Sequence, residues 1–581
     1  MSQLTTEHPP EYAPSDVRAD APTIARIAGM TGLFSLTVGV VSVVAAQWGR
    51  GIAGEGFGYL LAAVGVVGLF AHAARDSDVE VRRLYGALAA ALLIAAVVIG
   101  VFPHRPAGGG ERLVGAWLPY GVGLGLLSLL FFVPFVRHET EEPFRTWARY
   151  VLLGVGAVLT AGSVAGALAA PEFLVGPGVM LAFLGLGFLV AYLTSVDTSE
   201  GLGFQVAVAL GILGAAALVV AVGRSVVPTV LYEGPDLALK TPLKTYDPWK
   251  VAARVFSILL GLGVASLALN RRTPLWLRGA AAVLGLAWAA VFVVGSFGTP
   301  IHSAPTPYLV PFGLILGGIG LAFLAVSVAV VSDSPFVVLT RRELAAYFFS
   351  PIAYIVLLGM ALASGIGYML FIGVMQERGV LLEPILQDYY AGSLIGPLMI
   401  PFLVPALTMR LLSEERRTGT LEVLMTAPVS EAVVVLSKFL ACWLFFMLCW
   451  VPLGLYLIGL RVEGGRAFDY RPLLSFYLAV GASGAAFIAI GMVFSALTRN
   501  QIVAAVLTFV VMLVLMVVQW TEVFPVLGPA VKAALKRLAY WDLWVAALRG
   551  QLPVRDVLIQ LSIAVFGLFL TVKILEARKW S

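Results

Sequence analysis

The chain has 581 residues and a formal net charge of +5; 60% of its residues are hydrophobic, 12% are charged, and the mean hydropathy is +0.95. A soluble domain typically carries about 25% charged residues, so this composition excludes an ordinary soluble protein and predicts one that buries most of its length in lipid. The basic residues form no tract dense enough to indicate nucleic-acid binding.

The N-terminal segment differs from the rest of the chain. Residues 1–26 are polar, contain several prolines and acids, and lack the apolar core of a signal peptide. We therefore expect a flexible cytoplasmic tail at 1–26, with the first apolar segment acting as its own insertion signal.

Apolar runs of about 20 residues, the length at which a helix spans a bilayer, recur along the chain. They predict an all-α polytopic membrane protein with about 16 transmembrane helices: ten in an N-terminal half at 27–332 and six in a C-terminal half at 333–581. The boundary is placed near Asp333, where SDSPFVVLT interrupts the apolar pattern. The predicted spans are 27–47, 55–74, 84–102, 117–136, 148–169, 174–194, 202–222, 251–269, 277–296, 308–331, 352–373, 393–412, 437–460, 474–496, 501–519 and 556–575.

Orientation follows from the distribution of basic residues. An even number of spans places both termini on one side, and that side holds the larger share of the 38 Lys and Arg residues. The sequence therefore predicts a multi-pass protein of the cytoplasmic (inner) membrane with both termini in the cytoplasm.

The stretch TRRELAAYFFSP begins at Thr340. Thr340 and Glu343 have the spacing of a capping box, and an apolar stripe follows them, while Arg341 and Arg342 can reach phosphate headgroups. These features predict a helix at 340–350 that lies flat in the membrane interface; an ordinary juxtamembrane linker is the alternative.

A second charged stretch, LLSEERRTGTLEVLMTAPVS, begins at Leu411. It follows a span with three prolines on one helix face, which predicts a bend. Gly419 breaks the helix, a short apolar stripe precedes Pro428, and Ser430 can cap the next helix. We predict a short amphipathic helix within 413–429 that docks to a soluble partner; a charged loop marking the membrane boundary is the alternative. The prolines are Pro397, Pro401 and Pro405, and the stripe is Leu421, Leu424 and Met425.

Taken together, these two stretches, about sixty residues apart, resemble the membrane subunit of ABC-2-type (type-2 ABC) exporters, in particular the subgroup named for gliding-motility permeases. The resemblance covers about 333–581. It implies that 340–350, with Arg341, Arg342 and Glu343, is the connecting helix, and that 413–429 is the coupling helix, which contacts a separate cytoplasmic ABC ATPase. The implied contacts are Glu414, Glu415, Arg416, Arg417, Thr418, Gly419, Thr420, Leu421 and Glu422.

The resemblance has further implications for the same half of the chain. It implies a six-span permease core with an external segment at 521–555, a second permease copy (identical or related), and a substrate path between the spans at 393–412 and 501–519. Membrane lipids and an auxiliary envelope protein are further partners of such a complex. Within the external segment, Tyr540, Trp541 and Trp544 suit the outer membrane interface, either in a helical hairpin dipping into the outer leaflet or in an exposed helix.

No nucleotide or metal motif is present in the sequence. It lacks GxxxxGK[ST], HExxH and CxxC, so we expect no catalytic residue, no metal site and no cofactor bound by this chain, with ATP and Mg on the partner ATPase. Cys442 and Cys449 are too far apart on a helix for a disulfide and are interpreted as small buried side chains. His72 and Gln205, polar groups within apolar runs, are interpreted as packing or boundary residues.

Three functional hypotheses remain open from the sequence. The first is a permease subunit that couples ATP hydrolysis by a separate subunit to export, with an apolar path compatible with a lipidic or amphiphilic cargo. The second is a membrane anchor or force-transmitting component of a gliding-type envelope complex without solute transport. The third, an enzyme housed in the ten-span half, lacks a catalytic cluster. Vesicle transport assays with the ATPase separate the first two hypotheses.

Overall fold

The chain was analysed as a computed structural model. It divides into two compact units, residues 1–326 and 327–581, and the sequence-based boundary at Asp333 lies just after this division. The structure describes residues 21–49, 55–75, 78–105, 111, 113–231, 248–266, 275–297, 308, 312–378, 386, 389–390, 395–419, 429–462, 471–518 and 539–578. The predicted tail at 1–26 lies largely outside these residues.

The first unit is built from α-helices, as the long apolar runs predict. Within the described residues, its β structure is limited to an isolated bridge between His104 and Leu113. The helices are α1 (Ala21–Gln47), α2 (Glu55–Arg75), α3 (Val79–Val101), α4 (Leu118–His138), α5 (Glu142–Ala169), α6 (Pro177–Leu193), α7 (Gly201–Leu231), α8 (Pro248–Ser266), α9 (Leu275–Phe297) and α10 (Leu314–Val331), the last of which crosses the division between the units.

Glycines bring neighbouring helices of this unit into backbone contact. A Cβ on Gly32 would meet the backbone at Gly68, and a Cβ on Gly58 would meet Gly39 and Val43, so α1 and α2 run antiparallel. Between lipid-exposed helices, dispersion contacts at close backbone approach replace the hydrophobic effect as the main attraction. The glycines therefore allow α1 and α2 to pack with their backbones in contact.

Arginines tie the helix ends together at one end of this unit. Arg82 donates to the carbonyl of His138, Arg83 forms a salt bridge with Glu141, and Arg149 donates to the carbonyl of Ser195. The distribution of basic residues predicts that these connections lie on the cytoplasmic side, and this orientation stays a prediction. His72 contacts the Tyr85 hydroxyl at 2.9 Å, in agreement with its interpretation as a packing residue.

The second unit is also helical throughout its described residues. Its elements are α11 (Pro335–Phe349), α12 (Pro351–Arg378), α13 (Ile395–Thr408), α14 (Ser413–Thr418), α15 (Glu431–Cys449), α16 (Val451–Val462), α17 (Arg471–Leu497), α18 (Gln501–Val517), α19 (Tyr540–Leu548) and α20 (Val554–Arg578). The α17 helix is the most buried of the long helices and packs against α15, α18, α19 and α20.

Aromatic residues fill one region of the core of the second unit. Tyr540 and Trp544 are almost fully buried, and the Trp544 indole packs edge-on against Trp450 and donates to the Ser483 hydroxyl at 2.9 Å. Tyr540 and Trp544 therefore face the protein core, and their predicted position at the level of the outer interface stays a prediction. Their polar atoms suggested an interface, but α19 packs on α17 and the indole N–H finds its acceptor inside the protein.

The structure confirms an all-α polytopic membrane protein but not the predicted count of 16 spans. Among the described residues, 11 helices are long and apolar enough to cross a membrane, and four shorter apolar helices accompany them. The α13 helix, at the predicted span 393–412, has 14 residues. Both cysteines are buried and free, as expected.

We predict that Gly65→Leu lowers the free energy of unfolding of the chain by about 1–3 kcal/mol, the usual cost of overpacking. A Cβ at Gly65 would collide with the Leu36 backbone, which cannot move aside. The matched control on the same helix is Gly56→Leu, because a Cβ there meets nothing within 4 Å. Thermal unfolding in detergent measures both variants, and equal midpoints would contradict the proposed α1–α2 contact.

Candidate functional site

The charged helix α14 begins where the chain leaves α13. Leu411, Leu412 and Ser413 are buried, and the amides of Leu412 and Ser413 both donate to the Ser495 hydroxyl, at 3.0 and 3.1 Å. The first amides of a helix have no partner within it. The side chain of Ser495, at the end of α17, therefore fixes the start of α14.

A buried lysine holds the acidic side of α14. The Lys438 ammonium lies 2.8 Å from Glu415 Oε1 and 2.9 Å from Glu343 Oε2 on α11, and its side chain is only 4% exposed. Lys438 is the eighth residue of α15, on the face that carries the buried Val434, Val435 and other core residues. Leaving one partner of a buried ion pair uncompensated costs about 3–5 kcal/mol, so this contact strongly constrains α11, α14 and α15.

The two arginines of α14 differ in their surroundings: Arg416 binds the protein's own chain, and Arg417 is exposed. The Arg416 guanidinium donates to the carbonyl of Ala496 at 2.5 Å, at the end of α17. Arg417 and Thr418 are exposed. Glu414 is half-exposed and lies 3.9 Å from Arg410 one turn earlier. The helix therefore presents Arg417 and Thr418 outward and uses Glu415 and Arg416 to bind its own chain.

Gly419 ends α14, as predicted. Its φ of +74° and ψ of 0° lie in the left-handed region, where a residue with a Cβ is strained. Ser430 caps α15 by accepting from the Val433 amide, also as predicted. The candidate residues Thr420, Leu421 and Glu422, and the rest of the predicted stripe, lie outside the described residues.

The α11 helix differs from its prediction at the N-terminus. It begins at Pro335 rather than Thr340, and the Thr340 hydroxyl donates to the Phe336 carbonyl within the helix. The predicted capping box of Thr340 and Glu343 is therefore wrong. Proline at the first position starts the helix earlier, which frees Glu343 to bind Lys438.

The rest of α11 packs on α15 and α13. The Tyr347 ring stacks on Phe445 with 4.8 Å between centroids, and its hydroxyl donates to the Leu407 carbonyl at 3.1 Å. Burial raises the pKa of the Tyr347 phenol well above its usual value, so the hydroxyl remains a donor. Arg341 and Arg342 are exposed, and Arg341 donates to the Ala329 carbonyl. The interfacial position of α11 stays a prediction.

The three prolines lie on α13. Pro401 and Pro405 are inside the helix, and Pro397 is its third residue. An interior proline removes a backbone hydrogen bond, while a proline in a first turn does not. The predicted bend stays a prediction.

Sequence reasoning missed two residues of this site, Lys438 and Ser495. A lysine within an apolar run was a usable signal, because a charge at membrane depth requires a partner. The sequence could not name the partners, since Glu343 and Glu415 lie on separate helices. Ser495 carries no such signal, because a hydroxyl in a helix normally donates to its own backbone.

One comparison with known proteins found a match. The family described as ABC-2 family transporter protein matches residues 383–539. This range is similar to an ABC-2 family transporter domain. No curated protein and no solved structure matches the chain.

The matched range contains most of the site. It runs from before α13 to the residue before α19 and includes α14, Lys438 and Ser495, while Glu343 precedes it. A domain of this family suggests the membrane component of an ABC transporter, as distinct from the ATPase itself. The likeness to the gliding-motility subgroup stays a prediction.

We predict that Gly419→Val destabilises the end of α14 by about 1–2 kcal/mol, the cost of the left-handed conformation for a residue with a Cβ. A Cβ at Gly419 meets nothing within 4 Å, so the cost is backbone strain alone. Gly419→Asn is the control, because asparagine tolerates this conformation. Hydrogen exchange of the 413–418 amides should rise in the valine variant only; the same rise with asparagine would contradict the assignment.

Proposed function

We propose that the chain is the transmembrane permease subunit of an ABC exporter. A separate cytoplasmic ATPase subunit binds the exposed side of α14, and its ATP hydrolysis drives movement of a substrate across the cytoplasmic membrane. The observation that carries this proposal is the ABC-2 domain at residues 383–539, together with the position of α14 inside it.

The geometry of α14 supports a docking role for its outer side. A loop that only marked the membrane boundary would need no fixed attachment, whereas this helix is held on one side by Lys438 and on the other by Ala496 and Ser495. Arg417 and Thr418 remain exposed for the partner. We therefore assign Glu414, Arg417, Thr418 and Gly419 to the ATPase interface, continuing through Thr420, Leu421 and Glu422, and we assign Glu415 and Arg416 to the support of the helix.

A second copy of the permease completes the proposed substrate path. The α18 helix exposes an apolar face that includes Ile502, Val506 and Val510, and its Phe509 ring lies 5.5 Å from Phe402 on α13. In this proposal, α13 and α18 of two copies face each other around the path. The apolar lining supports a lipidic or amphiphilic cargo.

We predict that Arg417→Glu reduces ATPase binding, because it reverses an exposed charge on the docking side of α14. The tagged full chain and its variants are purified from their native membranes, and the bound ATPase is identified by mass spectrometry and by ATP turnover. Arg555→Glu is the matched control, since Arg555 is also exposed but is the second residue of α20, on the predicted opposite side of the membrane.

Two results would contradict the proposed function. One is an unchanged chain that brings down no ATP-hydrolysing subunit. The other is equal ATPase binding by the Arg417→Glu variant and the unchanged chain, which would place the interface elsewhere.

We also predict the orientation of the chain. Cysteine in place of Thr418 should react with a membrane-impermeant maleimide only after the cytoplasmic side is opened, whereas cysteine in place of Gln551 should react on intact cells. Both positions are exposed, and the two native cysteines are buried and contribute little background. The reverse pattern would overturn the cytoplasmic placement of α14 and of both termini.

A further inference from the structure

Lys438 connects two helices, α14 and α11, of which only α14 belongs to the proposed ATPase interface. Its ammonium binds Glu415 on α14, the docking helix, and Glu343 on α11, the helix that leads into the first span of the second unit. We propose that Lys438 is a positioning residue that makes α14 and α11 move as one body when the ATPase changes state. This inference rests on the proposed function and names a residue that transmits its motion.

The burial of Lys438 distinguishes this contact from the other links between the same elements. Arg410 reaches the Ser350 hydroxyl only at 3.4 Å and is exposed, and its contact with Glu414 is half-exposed. Exposed charges are screened by water and salt, and such pairs contribute little. The contacts of Lys438 are sheltered from water. When Glu415 moves, water therefore does not replace it at the Lys438 ammonium, and Lys438 moves with it.

The attachment of α11 makes such a displacement reach the membrane. The α11 helix is fixed to α15 by the stacking of Tyr347 on Phe445, and it is joined to α13 by the Tyr347 hydroxyl. On the side of α14 away from Lys438, Arg416 and Ser495 join it to α17. A displacement of α14 can therefore be transmitted in two ways, through Lys438 to α11 and through Arg416 and Ser495 to α17.

The competing explanation is that Lys438 only stabilises the fold. A variant in which Lys438, Glu343 and Glu415 are all uncharged separates this explanation from transmission of motion. Lys438→Met alone leaves two sheltered carboxylates facing each other and can unfold the site. The triple variant Lys438→Met/Glu343→Gln/Glu415→Gln removes all three charges at similar volume. Removing all three charges together leaves no uncompensated charge, which is what makes the loss of one partner costly, while methionine cannot bridge the two helices.

The test uses the full chain in complex with its co-purified ATPase, in lipid nanodiscs. Hydrogen exchange is measured at 335–349 and 413–418, without nucleotide and after trapping with ATP and vanadate. In the unchanged chain and in Lys438→Arg, which keeps both pairs, trapping should change exchange in both helices. In the triple variant the change at 413–418 should remain and the change at 335–349 should be lost.

A matched control and the contrary outcomes complete the design. Lys573→Met/Glu576→Gln neutralises an exposed pair on α20 and should behave as the unchanged chain. A triple variant that still transmits the change to 335–349 overturns the proposal. So does one that loses ATPase binding while Lys438→Arg keeps it, because the triad then serves recruitment. An unchanged chain without ATPase overturns the proposed function itself.

Discussion

A lysine ammonium inside a mostly apolar protein is stable only if carboxylates compensate it, and Lys438 satisfies this condition with two of them. Glu343 and Glu415 belong to different helices, so one side chain determines how α11, α14 and α15 meet. The rest of the site follows from this constraint. Because Glu415 faces the ammonium, Arg416 is directed to the end of α17 and Arg417 is left at the surface.

The sequence predicted local features well where a single residue decides the backbone. Gly419 ends α14 in the left-handed conformation, and Ser430 caps α15, because both effects depend on a residue and its immediate neighbours. Long apolar runs likewise predicted the helices. The predicted number of spans was not confirmed. The length of each helix depends on packing against its neighbours, which the apolar runs do not show.

The failures concern contacts between residues distant in sequence. Thr340 and Glu343 have the spacing of a capping box, but Pro335 begins the helix earlier and Lys438 binds the glutamate. The sequence likewise did not show that Tyr540 and Trp544 face the core, where the Ser483 hydroxyl accepts from the Trp544 indole. A local sequence pattern indicates which contacts a residue can make, and tertiary packing decides which of them it does make.

The structure of the complete complex, determined by electron cryo-microscopy on the chain with its ATPase bound, tests the central claim most directly. The account predicts that the ATPase contacts α14 through Arg417 and Thr418, while Lys438 remains bound to both Glu343 and Glu415. An ATPase bound elsewhere on the chain, or an α14 whose Glu415 leaves Lys438 to contact the ATPase, would contradict it.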